Sequence, residues 1–275
     1  MEKLSLVPVF FCYLASAWCF ALERRKGESR ALAVRPQTWL AAGVALHAAG
    51  LALMGWRAGN VPVTDFAQSL SFLAWLIAVS TLILVRRAGM AVIGTFAAPA
   101  AVLLTVLALL LNVRAASTLP AALRSLWLPI HVTMAFLGDA LFALGAAVSF
   151  LYLAHESRLK AKRPILALGG QPSLERLDRL NYRLLGLGFL MLTLAITSGA
   201  LWAGATWGRY WSWEPQELWS LVTWVLYGAL LEARLAAGWR GRRAATLTIA
   251  AFVVLAGSFV GVSLAFPGRH GGSFG

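Results

Sequence analysis

A loop at about residues 204–216 is unusually rich in tryptophan. It holds Trp207, Trp211 and Trp213, with a glycine directly after the first and a proline shortly after the last. Tryptophan often lies at the membrane–water boundary, and for any single ring here that is the ordinary interpretation. A boundary belt does not require three rings so close together. We therefore interpret the loop as a flat apolar platform, shaped by glycine and proline, for a large, planar, aromatic ligand.

Two of the four histidines, His131 and His270, bracket this loop in the sequence. Neutral imidazole is a good ligand for iron, and two imidazoles can take both axial positions of a haem. Arg209 and Arg269 are cations close to these residues and suited to pairing with haem propionates. Each histidine taken by itself also fits an interfacial side chain with one ordinary hydrogen bond, and that alternative stays open.

A second group of ionisable residues, His47, Asp139 and Glu232, lies inside long apolar runs. Such residues are rare within a membrane and usually face a bundle interior or a cavity. One hypothesis is a second site that uses His47, with Glu232 as ligand or proton acceptor. The alternatives are a structural role for Asp139 and pairing of Glu232 with Arg234 or Arg240.

The composition places these residues in a membrane protein. The chain of 275 residues is 60% hydrophobic and 13% charged, whereas a soluble domain has about 25% charged residues. Apolar blocks long enough to cross a bilayer as helices occur eight times, which predicts an all-α bundle of about eight transmembrane helices. The predicted spans are 4–22, 37–56, 67–85, 89–111, 127–153, 184–204, 216–236 and 245–266.

The distribution of basic residues predicts the orientation of the bundle. The first apolar run is followed by the basic run at residues 23–26, which predicts an external N-terminus. Eight alternating spans then place 18 Lys and Arg residues inside and 6 outside. The C-terminus, the tryptophan loop, His131 and His270 should all lie on the outer face. The net charge of +13 is explained by basic residues retained inside, so we expect the bilayer as partner and no nucleic acid.

Other sequence features narrow the function classes. Residues 1–275 show no repeat or composition break, so we expect a single membrane domain. Cys12 and Cys19 form no C-x-x-C motif, and no Walker A, dinucleotide-binding or H-E-x-x-H pattern is present. In the inner loop at 154–183, His155 should be solvated. Leu174, Leu177 and Leu180 at helical spacing predict a short amphipathic helix on the cytoplasmic membrane surface.

The segment from Trp207 to Trp219, with Trp-Ser-Trp-Glu-Pro-Gln-Glu at its centre, resembles the tryptophan-rich signature of the cytochrome c assembly family, most closely its CcsA type. The resemblance covers most of the chain. The other matching segments are the loop at 62–75, Pro129-Ile-His131 with Phe136-Leu-Gly138, residues 174–178 with Gly188-Phe189, residues 238–243, and Gly261-Val-Ser before His270.

The resemblance implies a haem-binding subunit of cytochrome c biogenesis in the bacterial cytoplasmic (inner) membrane. Such a protein presents haem b on its outer face for thioether attachment to apocytochrome c. His131 and His270 would be the axial iron ligands. The family also implies a possible place in a holocytochrome c synthase (haem lyase), with a separate CcsB-like membrane partner. The remaining residues implied to bind the cofactor are Trp207, Arg209, Trp211, Trp213, Glu214 and His47.

Three positions depart from the family pattern. Glu214 stands where the signature usually has Asp, Gln68 where Glu is common, and Glu232 where an inner histidine is expected. These departures keep two other functions open. One is a non-catalytic haem-binding or regulatory paralogue of the same fold. The other is a proton-coupled transporter with a relay of Glu232, Asp139 and His47.

Overall fold

The computed structural model describes residues 2–26, 35–59, 61–63, 65–111, 127–162 and 172–265, and within these ranges the chain is an assembly of α-helices. All eight helices are long and apolar enough to cross a membrane. This confirms the predicted all-α membrane fold. The helices are α1 (Glu2–Lys26), α2 (Pro36–Ala58), α3 (Phe66–Ala88), α4 (Ala91–Leu110), α5 (Trp127–Lys160), α6 (Leu174–Trp207), α7 (Pro215–Leu235) and α8 (Arg242–Ala265).

Several helices begin either at a short polar side chain that accepts a backbone N–H of the first turn or at a proline. The Asp65 carboxylate accepts a hydrogen bond from the Gln68 backbone N–H at 2.8 Å and caps α3. The Ser173 hydroxyl accepts one from the Arg176 N–H at 3.2 Å and caps α6. Proline occupies the first helical position of α2 and α7. Its missing N–H costs nothing there, because the first turn of a helix has no internal acceptor.

The helices pack in two groups of four. Within α1–α4 each neighbouring pair in sequence is in contact and α1 also packs on α4, while α5–α8 repeat this pattern with α5 on α8. Helices α3 and α4 also pack on α5 and join the groups. The larger buried cluster runs from Val9 and Tyr13 on α1 to Leu184 on α6, and a smaller one is centred on Phe142 and Tyr227.

At one end of the bundle, the N-terminal parts of α1 and α3 lie beside the C-terminal parts of α4 and α8. Leu6, Leu70 and Ala108 form a buried cluster there, and Phe66 and Phe259 pack against it. We call this the outer end, from the orientation that the charge distribution predicts, and the opposite end the inner end. The orientation itself stays a prediction.

Helices α5 and α6 have 34 residues each, about 51 Å at ~1.5 Å per residue, against a hydrocarbon core of about 30 Å. The predicted surface helix at residues 174–182 is therefore wrong. Those residues form the first turns of α6 itself, because Leu177 is buried in the main core and the Asn181 amide donates to the Gly145 carbonyl of α5 at 3.1 Å. His155 is likewise 8% exposed and not solvated.

Candidate functional site

The outer end brings the N-terminal part of α5 beside the C-terminal part of α6. The Phe136 ring of α5 lies 5.9 Å from Phe259 of α8 and 5.8 Å from Phe72 of α3. His131 lies just over one turn before Phe136, toward the outer end. Helix α6 packs beside α5, passes His131 at Ala195 and Gly199, and ends at Trp207.

The imidazole of His131 is held by the backbone of α6. Its Nδ1 lies 2.7 Å from the carbonyl oxygen of Ala195, and a carbonyl only accepts, so Nδ1 carries the proton and donates. The Ser198 hydroxyl donates to the same oxygen at 3.0 Å. A hydrogen bond of this kind fixes the orientation and tautomer of a ligand histidine, and it leaves the lone pair on Nε2.

Gly199 provides the space for this imidazole. A Cβ atom at position 199 would lie 2.6 Å from Cε1 and 2.9 Å from Nδ1 of His131. A glycine in a helix interior costs about 1 kcal/mol relative to alanine, so its presence here needs a packing reason. The close approach of the His131 ring is that reason.

The tryptophan loop begins where α6 ends. Gly208 closes the helix in the left-handed conformation, with φ +70°, and its N–H donates to the Gly204 carbonyl at 3.0 Å. The Trp202 and Trp207 rings meet edge to face at 4.6 Å, and the Trp211 and Trp213 rings do so at 6.0 Å. The first pair therefore belongs to the last turns of α6, and the second lies in the loop before α7.

Two features of the second pair cost energy. Trp213 has φ +59°, a left-handed conformation that a bulky side chain rarely adopts. The indole Nε1 of Trp211 is buried, and within the described residues it has no hydrogen-bond partner. Trp213 is 68% exposed, so packing does not explain why a large ring occupies this conformation. Strain and unmet hydrogen bonds of this kind are typical of binding sites.

Glu217 fixes the shape of the loop, and the sequence analysis missed it. Its Oε2 accepts the backbone N–H of Ser212 at 2.8 Å and that of Glu214 at 3.3 Å. Glu214 is the N-cap of α7, and Pro215 follows it in the first turn. The signal was present in the sequence, since an acidic residue three positions after an N-cap is a capping-box pattern.

The other predicted residues of the loop lie on its surface. Arg209 is exposed, Glu214 is half-buried, and the neighbouring Tyr210 is 66% exposed. The Tyr210 ring folds back over Gly204, where a Cβ atom would lie 2.5 Å from the ring. His270 and Arg269 lie outside the described residues. Helix α8, which precedes them, ends at Ala265.

His47 is hydrogen-bonded to side chains of two neighbouring helices. It is fully buried in α2, with Nδ1 3.2 Å from the Tyr13 hydroxyl and Nε2 2.8 Å from the Ser71 hydroxyl. Both ring nitrogens are therefore engaged, one as donor and one as acceptor, because each hydroxyl can take either role. Iron ligation by His47 would require one of these hydrogen bonds to break.

Glu232 lies near the inner end of α7 and is exposed. The predicted alternative of a pair with Arg234 is wrong, because the Arg234 guanidinium binds Asp178 at 2.9 Å. The structure thus places His47 in an internal hydrogen-bonded chain and Glu232 on the surface.

Comparisons with known proteins identify the family of the chain. The family model described as cytochrome C assembly protein matches residues 63–270. A cytochrome c biogenesis protein CcsA from Synechococcus sp. (strain CC9605) is 32% identical over 92% of this chain and 89% of its own length. The CcsA protein of Synechococcus sp. (strain CC9311) is 36% identical over 81% of this chain and 82% of its own.

A similar architecture occurs in a solved structure. The cytochrome c heme lyase CcmF superposes on 100% of this chain with a TM-score of 0.68 at 17% sequence identity. At that identity the similarity is one of fold. This chain spans about half the length of CcmF, 49% of it.

Proposed function

This chain belongs to the cytochrome c assembly protein family, and we propose that its part in cytochrome c maturation is to hold haem b on the outer face of the membrane. The haem would be presented there for thioether attachment to apocytochrome c. The observation that carries this proposal is the imidazole of His131, oriented by the Ala195 carbonyl and placed two helical turns below the start of the tryptophan loop.

The tautomer of His131 suits iron. With its proton on Nδ1, the ring offers the Nε2 lone pair, which is the usual donor of an axial histidine. The hydrogen bond to Ala195 also makes the imidazole more electron-rich and restricts its rotation. His270 is proposed as the second axial ligand, because it follows Ala265, the end of α8, by five positions in the sequence, and α8 ends at the same end of the bundle as His131.

The tryptophan loop supplies the remaining contacts in this proposal. The edge-to-face pairs of Trp207 and Trp213 would line the porphyrin. The buried Trp211 N–H, unpartnered among the described residues, would donate to a propionate oxygen, and the exposed Arg209 would add a charge-assisted contact. Glu217 holds the strained loop in one conformation through two hydrogen bonds to its backbone, so the loop is preorganised for such a ligand.

Thioether formation at this site would need no reactive side chain from this protein. In thioether formation each cysteine thiol of apocytochrome c adds across a haem vinyl group, the sulfur to one carbon and the hydrogen to the other. This chain's residues would hold the haem, keep water from its face and leave its vinyl edge accessible. We assign no catalytic residue, and we propose that a separate CcsB-like membrane protein completes a haem lyase in the bacterial inner membrane.

The test is the visible spectrum of the purified full-length protein from a haem-replete host. The wild-type protein should show sharp low-spin bands on reduction, and the His131→Ala, His270→Ala double variant should lose them. His155→Ala, at the inner end, is the matched histidine control and should keep them. Retention of the wild-type haem content by the double variant would disprove the outer site.

A second measurement distinguishes a role in haem attachment to apocytochrome c from that of a regulatory paralogue. Deletion of the gene in its native host should abolish covalent haem staining of c-type cytochromes, and the wild-type gene should restore it. Survival of c-type cytochromes after deletion would favour the regulatory paralogue, even if the purified protein binds haem through His131.

A further inference from the structure

The turn at residues 236–241 and the first residues of α8 carry an excess of cations. Arg240, Arg242 and Arg243 are all exposed. Arg242 donates to the Glu156 carboxylate of α5 at 3.2 Å. In the described part of the chain, Arg240 and Arg243 have no ion pair. Two guanidinium groups at the inner end of the bundle therefore have no countercharge from the described residues.

The carboxylates around this turn are already matched or too few to balance it. Asp178 of α6 binds the Arg234 guanidinium at 2.9 Å, so that buried pair is neutral. Glu156 also accepts from Lys160 at 2.8 Å and is thus shared between two cations. Glu232 is exposed about one turn before the end of α7. Apart from the neutral pair, four cations stand against two carboxylates, and the surface of the turn is positively charged.

The backbone of the turn is fixed from two sides. Gly238 and Gly241 adopt the left-handed conformation, with φ +64° and +63°. The Gly241 N–H donates to the Asp178 carboxylate of α6 at 2.9 Å, and the Trp239 N–H donates back to a carbonyl of α7 at 3.1 Å. Arg240 lies between these two N–H groups. A ligand that binds its side chain would therefore have little backbone to order, which favours affinity.

The turn lies at the level of the lipid headgroups. Helix α7 has 21 residues, about 32 Å at ~1.5 Å per residue, which matches a hydrocarbon core of about 30 Å. The turn follows this helix directly. Trp239 in the turn and Tyr182 of α6 are both partly exposed, and the Tyr182 ring centroid lies 5.3 Å from the guanidinium carbon of Arg234 at the end of α7. Tryptophan and tyrosine are the residues that prefer this level of the membrane.

We propose that the α7–α8 turn binds the headgroup of an anionic phospholipid, with Arg240 and Arg243 donating to its phosphate oxygens and Trp239 at the level of its glycerol. Guanidinium groups pair with phosphate through charge-assisted, often bidentate hydrogen bonds. Basic groups between membrane helices at this level bind such headgroups. Inorganic phosphate offers the same oxyanion, but a lipid also places its acyl chains against the apolar helices next to the turn. The site lies at the end of the bundle opposite to His131 and is separate from the proposed haem function.

The first test is lipid titration of the purified, delipidated full-length protein, followed by native mass spectrometry. Phosphatidylglycerol should bind about tenfold more tightly than zwitterionic phosphatidylcholine with the same acyl chains. The Arg240→Gln, Arg243→Gln double variant should lose this preference, because its affinity for phosphatidylglycerol falls and that for phosphatidylcholine does not change.

The matched control is the Arg86→Gln, Arg87→Gln double variant, which removes two exposed cations from the end of α3 at the same end of the bundle. It should keep the wild-type preference for phosphatidylglycerol. Both double variants replace exposed side chains and should retain the helical circular dichroism spectrum. An equal loss of preference in the two variants would overturn the proposal, since it would reflect the total charge of the inner end and not a site at the turn.

Two further measurements test the assignment to a lipid. Inorganic phosphate should not displace bound phosphatidylglycerol, and displacement at equal concentration would overturn that assignment. Trp239→Ala should weaken the binding of both lipids by a similar factor, because the ring lies at the glycerol level that both share. Unchanged affinities in Trp239→Ala would overturn its place in the site. All these measurements are made without haem, so their outcome is separate from that of the outer site.

Discussion

The two ends of the bundle differ in how their polar groups are satisfied. At the inner end the Arg234 guanidinium binds the Asp178 carboxylate at 2.9 Å and the Asn181 amide oxygen at 3.2 Å. The other Asp178 oxygen accepts the Gly241 backbone N–H at 2.9 Å. At the outer end the Trp211 indole N–H is buried and unpartnered among the described residues, and Trp213 is held at φ +59°.

We interpret the inner network as part of the structural scaffold and the outer loop as a candidate binding site. The inner network joins α6, α7 and α8 through groups that satisfy one another, which is how a buried polar cluster stabilises a fold. The outer loop contains the strained Trp213 and the unpartnered Trp211 N–H, although two hydrogen bonds to Glu217 restrain its backbone. Local strain of this kind is typical of binding sites, and we therefore propose that the binding function lies in the outer loop.

The largest expected effect is the loss of the inner ion pair. Asp178→Asn leaves the Arg234 charge buried, with its side chain 5% exposed, and should lower the free energy of unfolding by about 3 kcal/mol. The matched control is Glu175→Gln, which breaks an exposed pair with Arg179 and should change little. Thermal unfolding followed by circular dichroism in detergent measures both. Equal losses in the two variants would contradict the scaffold role.

The next effect concerns His47. His47→Phe removes two buried hydrogen bonds and leaves the Tyr13 and Ser71 hydroxyls unsatisfied, which should cost about 2 kcal/mol of unfolding free energy. Because both ring nitrogens of His47 are engaged by Tyr13 and Ser71, the low-spin spectrum of bound haem should persist in this variant. Disappearance of that spectrum in a folded protein would show that His47 is an iron ligand.

A smaller effect is expected from crowding His131. Gly199→Ala introduces a Cβ 2.6 Å from the imidazole, so it should displace the ring and weaken haem affinity about tenfold, as loss of ligand orientation does elsewhere. Gly186→Ala on the same helix meets nothing within 4 Å and serves as the control. Haem titration of the two variants checks this. Equal affinities would show that the orientation of His131 does not matter.

The smallest effect is the release of strain at Trp213. Asparagine tolerates a positive φ better than tryptophan does, so Trp213→Asn should relieve about 1 kcal/mol while removing an aromatic ring. Trp213→Phe keeps both a ring and the strain. We expect the Asn variant to be slightly more stable and to bind haem less tightly than the Phe variant. Tighter haem binding by the Asn variant would contradict a contact between Trp213 and the ligand.

The sequence predicted the helices well because a membrane span needs a minimum apolar length, and caps such as Asp65 mark the boundaries. It failed at residues 174–182, where amphipathic spacing alone does not distinguish a surface helix from the polar start of a long one. Leu177 is buried against neighbours that are remote in sequence.

The contacts of the predicted site residues could not be predicted from the sequence. The His131–Ala195 hydrogen bond joins residues 64 positions apart, so local pattern carries no sign of it. The Tyr13 and Ser71 bonds of His47 are equally remote. Glu217 is the exception, since its capping role depends on neighbours within five residues.

The pairing of α5 with α6, the most extensive in the bundle, also bears on the order of assembly in the cell. A helical hairpin can form during synthesis as soon as its second helix has entered the membrane. The Ala195 carbonyl would therefore orient His131 before α7 has entered the membrane. The tryptophan loop must wait, since Glu217 on α7 holds it. In the nascent protein the contact between His131 and Ala195 would thus form first, and the tryptophan loop would take its final shape afterwards.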